Sequence, residues 1–192
     1  LEHIEISFIA IVTAIVLAIF VTIFLNFYKE FSHITIYLFS LMYAIPSFAL
    51  FALLIPITGL GQTTAIIVLV IYAQYILVRT FLSGLSQVDK HVIEAAKAMG
   101  MTKWQILLKV QFPLAQKSFF AGLRLASTAI IAIATIGAMI NAGGLGVILF
   151  DGLRTMNLTK LLWGIILTVG LSLLTNLIIY LVEELFQKEY SV

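Results

Sequence analysis

The chain has 192 residues, 62% hydrophobic and 10% charged, with a formal net charge of +2. A soluble domain carries roughly 25% charged residues, so this chain cannot cover itself with polar surface in water and its solvent is largely lipid. A charge this small, with no basic run interleaved with aromatics, excludes a nucleic-acid surface, and the absence of cysteine excludes disulfides and thiol chemistry.

A spanning helix needs about 20 mostly apolar residues. Five segments qualify, which predicts an all-α membrane protein forming one domain over residues 1–192. The chain opens on Leu1 rather than Met, so residues are expected before it. The first apolar run, Ser7 to Leu25, follows Glu2 and Glu5 rather than a basic region and is too long for a signal-peptide core. It reads as a retained span. The second, Ile34 to Ile57, has no charge but contains Pro46 and Pro56, which remove backbone donors and are expected to kink or end the helix. Thr63 to Leu82 carries Arg79 near its end, Ser118 to Ile140 carries Arg124 near its start, and Leu161 to Val182 ends at Glu183 and Glu184. None alternates polar and apolar residues as a barrel strand would.

The connections differ sharply. Thr58 to Gln62 is short and uncharged. Ser83 to Lys117 carries Lys90, Lys97, Lys103, Lys109 and Lys117, and Asn141 to Lys160 is glycine-rich with Asp151, Arg154 and Lys160. Lysine accumulates in cytoplasmic loops, so the 83–117 loop is expected inside. Five spans then put the N-terminus outside and the C-terminus in the cytoplasm. Lys29 and Lys188 fall inside and Glu2 and Glu5 outside, in agreement.

The lysine-rich loop reads as two short helices. Asp89 caps the first, whose apolar face is Val92, Ile93, Ala95, Ala96 and Met99. Gly100 occupies the position after its end, where positive φ is needed. Thr102 and Gln105 have capping-box spacing for the second helix, and Pro113 is expected to break the chain before the fourth span. A helix–glycine–helix unit of this kind suits docking on a partner. An amphipathic loop lying on lipid headgroups fits the pattern equally well.

Glu94-Ala95-Ala96, then Gly100, then Val110-Gln111-Phe112-Pro113 resembles the "EAA" loop of binding-protein-dependent ABC importer permeases, with Val110 and Phe112 replacing the family's Ile and Leu. Ala44-Ile45-Pro46-Ser47-Phe48-Ala49-Leu50, Ala121-Gly122-Leu123-Arg124 and Asn141-Ala142-Gly143-Gly144-Leu145-Gly146 extend the resemblance along the chain, most towards the osmoprotectant (glycine betaine, carnitine or choline) permeases. Methionine-type permeases share the glycine stretch and much of the loop. The resemblance implies a type I importer fold working in pairs, with an identical or related second permease copy. It implies a coupling helix seated on a separate ABC ATPase subunit pair, with Glu94, Ala95, Ala96, Gly100, Met101, Thr102 and Pro113 as the coupling residues. It also implies an extracytoplasmic substrate-binding protein or domain that meets Gly143, Gly144 and Gly146. A plain flexible turn is the other reading of those glycines.

Pro46 and Ser47 suit a gate, although kinked packing helices also carry proline. Tyr72, Gln74 and Tyr75 form a polar aromatic group inside the third span. They suit either a cation pathway or interhelical packing. Arg124 reads as snorkelling or touching the coupling loop, and Arg79 as snorkelling; Thr175 and Asn176 read as helix–helix glue. His3, His33 and His91 show no metal spacing and read as solvated or interfacial. There is no G-x-x-x-x-G-K-[ST] loop, no His-Glu-x-x-His and no G-x-S-x-G. The chain is therefore expected to have no catalytic or metal site and no cofactor of its own, with ATP and Mg used by the partner. An ion-coupled carrier and a purely structural membrane subunit are the rivals. A proton-coupled carrier would need a mid-span ionisable residue, which is absent. The resemblance of the 83–117 loop argues both against a sodium carrier with carbonyl and hydroxyl ligands and against a structural subunit.

Overall fold

The computed structural model describes residues 1–189, with side chains described up to Phe186; Lys188, assigned above to the cytoplasmic end, lies outside the described side chains. In hydrocarbon every backbone N–H and C=O must be satisfied within the protein, which leaves the helix as the economical form for a chain this apolar. The long helices are α1 (Glu2–Phe27), α4 (Gln62–Ser86), α7 (Phe112–Ala134) and α9 (Leu158–Glu189). Between them lie α2 (Ser32–Ala44), α3 (Ser47–Thr58), α5 (Lys90–Ala98), α6 (Lys103–Ile106) and α8 (Gly146–Arg154).

The expected second span is not one kinked helix. Ile45 is extended (φ −65°, ψ 129°), as a residue before proline prefers, and Pro46 stands at the start of α3. The segment Lys29–Ala44 and α3 therefore meet at 95°. Contacts at the two ends still make the pair one crossing. Phe27 packs edge-on against Trp104, with ring centroids 4.8 Å apart, so α1 ends beside the lysine-rich segment. The Thr58 and Thr64 hydroxyls are 2.6 Å apart, and Gly61 lies against the Asn141 carbonyl, so α3 ends beside the glycine stretch. The chain thus passes five times between a lysine-rich end and a glycine-rich end.

Pro113 does not break the chain. Residues Leu107–Gln111 form a π-helical turn in which the Phe112 N–H donates to the Leu107 carbonyl, five residues back. An α-ladder would press the proline ring onto the carbonyl four residues earlier. The wider turn makes room for it, and helix runs on from Lys103 through the fourth span, which begins well before Ser118.

α4 is the central helix. Val68, Leu69, Ala73, Leu77, Val78 and Phe81 are fully buried against α1, α7 and the α2–α3 pair. α1 meets it with Ala10, Ala14 and Ala18, none of them exposed. Residues four apart share a helix face, and in lipid such small side chains stabilise by letting backbones approach for dispersion contact. Phe81 and Phe119 stack at 4.4 Å between α4 and α7. Polar contacts add direction: the Gln74 amide donates to the Ala14 carbonyl (3.0 Å), and the Asn176 amide donates to Thr128 (3.0 Å). Asn176 is thus the expected helix glue, whereas the Thr175 hydroxyl bonds the Leu171 carbonyl of its own helix. Arg124 forms an ion pair with Glu183 of α9.

α8 packs on α9 across a turn held by Asp151, whose carboxylate accepts from Lys160 (2.6 Å) and Arg154 (3.0 Å). These two bonds, that from Lys160 first, hold the Asp151 carboxyl below its usual pKa.

Gly84 and Gly122 mark the closest approach of α4 and α7. A Cβ at Gly84 would lie 2.5 Å from the Ser118 Cβ, and one at Gly122 would overlap the Thr80 side chain, whereas one at Gly170 meets nothing within 4 Å. Gly122→Val is therefore expected to cost about 1–3 kcal/mol. Gly170→Ala serves as a neutral control. Thermal unfolding in detergent checks both, and equal midpoints would remove the close-contact argument.

Candidate functional site

The lysine-rich end carries the most fully specified local geometry. Asp89 accepts from the His91 N–H (2.9 Å) and starts α5. At the other end the Gly100 N–H donates to Lys97 (2.9 Å) and the Met101 N–H to Ala96 (3.1 Å). This is the Schellman closure, which needs a left-handed residue after the cap; Gly100 supplies it with φ +80°. One residue later the capping box forms in full. The Gln105 N–H donates to the Thr102 hydroxyl (3.3 Å), and the Thr102 N–H donates to the Gln105 side chain (2.7 Å). Two cap motifs joined by Met101 fix the angle between α5 and α6 with no long-range contact.

α5 is two-faced. Ala96 is buried, and the half-buried Ile93 packs against a small core of Leu85, Val88, Leu107 and Ala115. Val92, Ala95 and Met99 are exposed at positions 92, 95 and 99 of one helix face, and Met99 is 82% exposed. Glu94 is also exposed, its carboxylate 4.0 Å from His91. The apolar face expected from sequence is thus divided, half anchoring the unit and half offered outward.

The unit is tied to the bundle at three places. The Asn26 amide donates to the buried Gln111 (3.4 Å), Trp104 packs on Phe27, and α6 continues through the π-turn into α7. A push on α5 therefore reaches α1 and α7 without crossing a flexible joint. The π-turn is the part sequence reasoning missed. Its signal was Pro113 lying inside otherwise uninterrupted helical pattern.

The expected pathway group is divided by the fold. Gln74 is buried against α1. Tyr72 and Tyr75 instead meet Tyr43 of α2, with ring centroids at 5.5 and 5.0 Å. The Tyr72 hydroxyl donates to the Ile45 carbonyl at the Pro46 break. Ser47 begins α3 immediately after it.

At the opposite end Gly143 (φ +80°) and Gly144 (φ +83°) form a left-handed turn pinned to the start of α1. The Gly144 N–H donates to the Glu2 carboxylate (2.9 Å), and the Leu145 N–H donates to His3 Nδ1 (3.3 Å). His3 Nε2 lies 3.1 Å from the Ile131 carbonyl, and Gly146 starts α8 pressed against the Thr135 carbonyl. His3, expected from sequence to be solvated or interfacial, is a buried bridging residue, 3% exposed. Some 140 residues separate the partners, so no local pattern announces the contact. His33 and His91 are exposed, and no metal-binding cluster occurs among the described residues.

Residues 10–192 match the model of the family described as binding-protein-dependent transport system inner membrane component. The chain belongs to this family. It is 35% identical over 175 residues to the carnitine transport permease protein OpuCB of Listeria monocytogenes, covering 91% of this chain and 80% of that one. It is 42% identical over 135 residues to the ergothioneine transport permease/ergothioneine binding protein EgtU of Helicobacter pylori, covering 70% of this chain and 24% of that longer protein. The fold superposes on a chain of the inward-facing MetNI methionine ABC transporter with a TM-score of 0.84 at 22% identity, covering 96% of this chain and 93% of the other. The permease is thus a multi-pass membrane protein of the type I importer fold.

In this permease Gly100 can be tested for backbone angle alone, because a Cβ there meets nothing within 4 Å. A β-branched residue held at positive φ costs on the order of 1–2 kcal/mol, whereas asparagine visits that region readily. Gly100→Val is expected to abolish ATP-driven uptake at unchanged membrane abundance, and Gly100→Asn to retain most of it. Equal uptake by the two variants, measured in reconstituted vesicles, would rule out a role for the turn angle.

Proposed function

We propose that this chain is the permease subunit of an ATP-driven importer for small quaternary-ammonium compounds. The observation that carries the importer reading is the unit of α5, Gly100 and α6, with its angle fixed by two adjacent cap motifs and its second helix continuous with a span. Such a unit is built to receive a mechanical input at Val92, Ala95 and Met99. ATP hydrolysis, with its Mg, belongs in a partner ATPase pair that grips this surface. A second permease copy completes the pathway, and an external binding protein delivers substrate to the end bearing Gly143, Gly144 and Gly146.

Orientation follows from charge. Lys29, Lys90, Lys97, Lys103, Lys109 and Lys117 cluster at the coupling end. At the other end Arg154 and Lys160 are both engaged by Asp151. Basic residues are retained on the cytoplasmic side, which supports an N-terminus outside and a C-terminus inside. Single cysteines at position 97 or 61 in this cysteine-free chain report the sides directly. An impermeant thiol reagent applied to intact cells is expected to label 61 and not 97; the reverse would invert the topology.

The substrate class rests on two supports. The relatives named for carnitine and ergothioneine transport handle compounds that share a trimethylammonium group, as glycine betaine and choline do. The tyrosine cluster of Tyr43, Tyr72 and Tyr75 beside the Pro46 break offers ring faces, which attract such cations by about 0.5–2 kcal/mol each. Weak contacts of that size suit conduction, because a substrate must leave as readily as it enters. In vesicles carrying the permease, its ATPase and its binding protein, ATP is expected to drive uptake of labelled glycine betaine, carnitine or choline. Uptake of methionine alone would refute the substrate class and leave the importer reading intact.

A further inference from the structure

We propose that Arg79 is a carboxylate-binding residue that makes this permease prefer zwitterionic quaternary-ammonium compounds to purely cationic ones; this rests on the substrate class proposed above. The Arg79 guanidinium lies over the Tyr75 ring, 5.5 Å from its centroid, and donates to the Tyr75 hydroxyl. It is on α4, seven residues before the helix end and so about 10 Å up the helix. No carboxylate among the described residues pairs with it. Arg79 is exposed, so its charge stays open to an anionic partner. Every other arginine among the described residues has one: Arg124 has Glu183, and Arg154 has Asp151.

The surroundings say what the partner is. Arg79 takes one face of Tyr75, so a second cation is left with Tyr43, whose ring is partly exposed, and Tyr72, whose hydroxyl is tethered to Ile45. Tyr43 adjoins both Tyr72 and Tyr75, so a trimethylammonium bound on it sits close to the guanidinium and is repelled by it. Choline meets that repulsion with no compensation. Glycine betaine and carnitine carry a carboxylate a few bonds from the ammonium, and the guanidinium fork matches a carboxylate with two parallel N–H···O bonds. One residue thus penalises the cation and rewards the zwitterion, which is how specificity is built from opposed terms. Arg79 also lines a cleft of about 500 Å³ between α1, α2 and α4 with Ser83, Ser86 and Lys29. A carboxylate leaving Arg79 towards the lysine-rich end therefore finds hydroxyls and a second cation.

The test separates the permease from the selectivity of its binding protein. The permease–ATPase complex in nanodiscs, without binding protein, is titrated with radiolabelled glycine betaine and with radiolabelled choline. Wild type is expected to bind glycine betaine more tightly. Arg79→Gln is expected to weaken glycine betaine by roughly tenfold or more, the scale of a lost hydrogen bond to a charged group, and to leave choline unchanged or tighter. Arg79→Lys falls between them, and Tyr43→Leu weakens both ligands. A wild type that prefers choline, a parallel loss of both ligands in Arg79→Gln, or no saturable binding to wild type overturns the proposal. Failure of the vesicle uptake experiment for every ammonium compound would instead overturn the substrate class.

Discussion

Lipid offers a backbone no hydrogen bonds, and three irregularities in this chain are shaped by that fact. Where the helix stops inside the apolar region, at Ile45 and Pro46, a tyrosine hydroxyl from α4 reaches the exposed carbonyl. Where proline threatens the ladder, at Pro113, the ladder widens to a π-turn rather than opening. Where the chain turns at the glycine-rich end, Glu2 and His3 receive the backbone donors of Gly144 and Leu145. In none of these three places is the freed backbone left to lipid.

The parts legible in sequence were those whose physics is local. Asp89, Gly100, Thr102 and Gln105 sit within a few residues of the groups they satisfy, so the two caps and the positive φ could be read from spacing alone. The number of crossings followed from run length. What escaped was set by distant partners. Nothing near His3 in the chain foretells Leu145 or Ile131, and nothing near Gln74 foretells Ala14. On a helix residues two apart point to different sides, which the structure resolves by giving Gln74 to α1 and the tyrosines to α2. In sequence Pro46 and Pro113 both look like interruptions. One became a right-angle corner and the other vanished into continuous helix, because α2 and α3 have a flanking wall of α4 to lean on while α6 and α7 share one axis.

The two ends of the bundle are also built differently. At the glycine-rich end the contacts are made by backbone donors, held by the first residues of α1 and by a turn whose cations are satisfied by Asp151. At the lysine-rich end they are made by side chains, aromatic and apolar, beneath an outward face of Val92, Ala95 and Met99. An end closed by backbone bonds tolerates little rearrangement. An end packed by side chains can shift while remaining in contact, since rotamers adjust more readily than a hydrogen-bond ladder. This asymmetry suits a molecule driven from one side.

The π-turn sets a phase. An inserted residue rotates everything before it by about 100° relative to everything after it, one residue's share of a helical turn. The direction in which α5 faces is therefore an azimuth determined by a single extra residue between Leu107 and Gln111, like the offset of a cam on its shaft. Such an offset changes only in whole-residue steps. Substitutions across α5 can alter the chemistry of its outward face, but the bearing of that face relative to the span is quantised, so two chains that differ by one residue in this turn would present it to different quadrants.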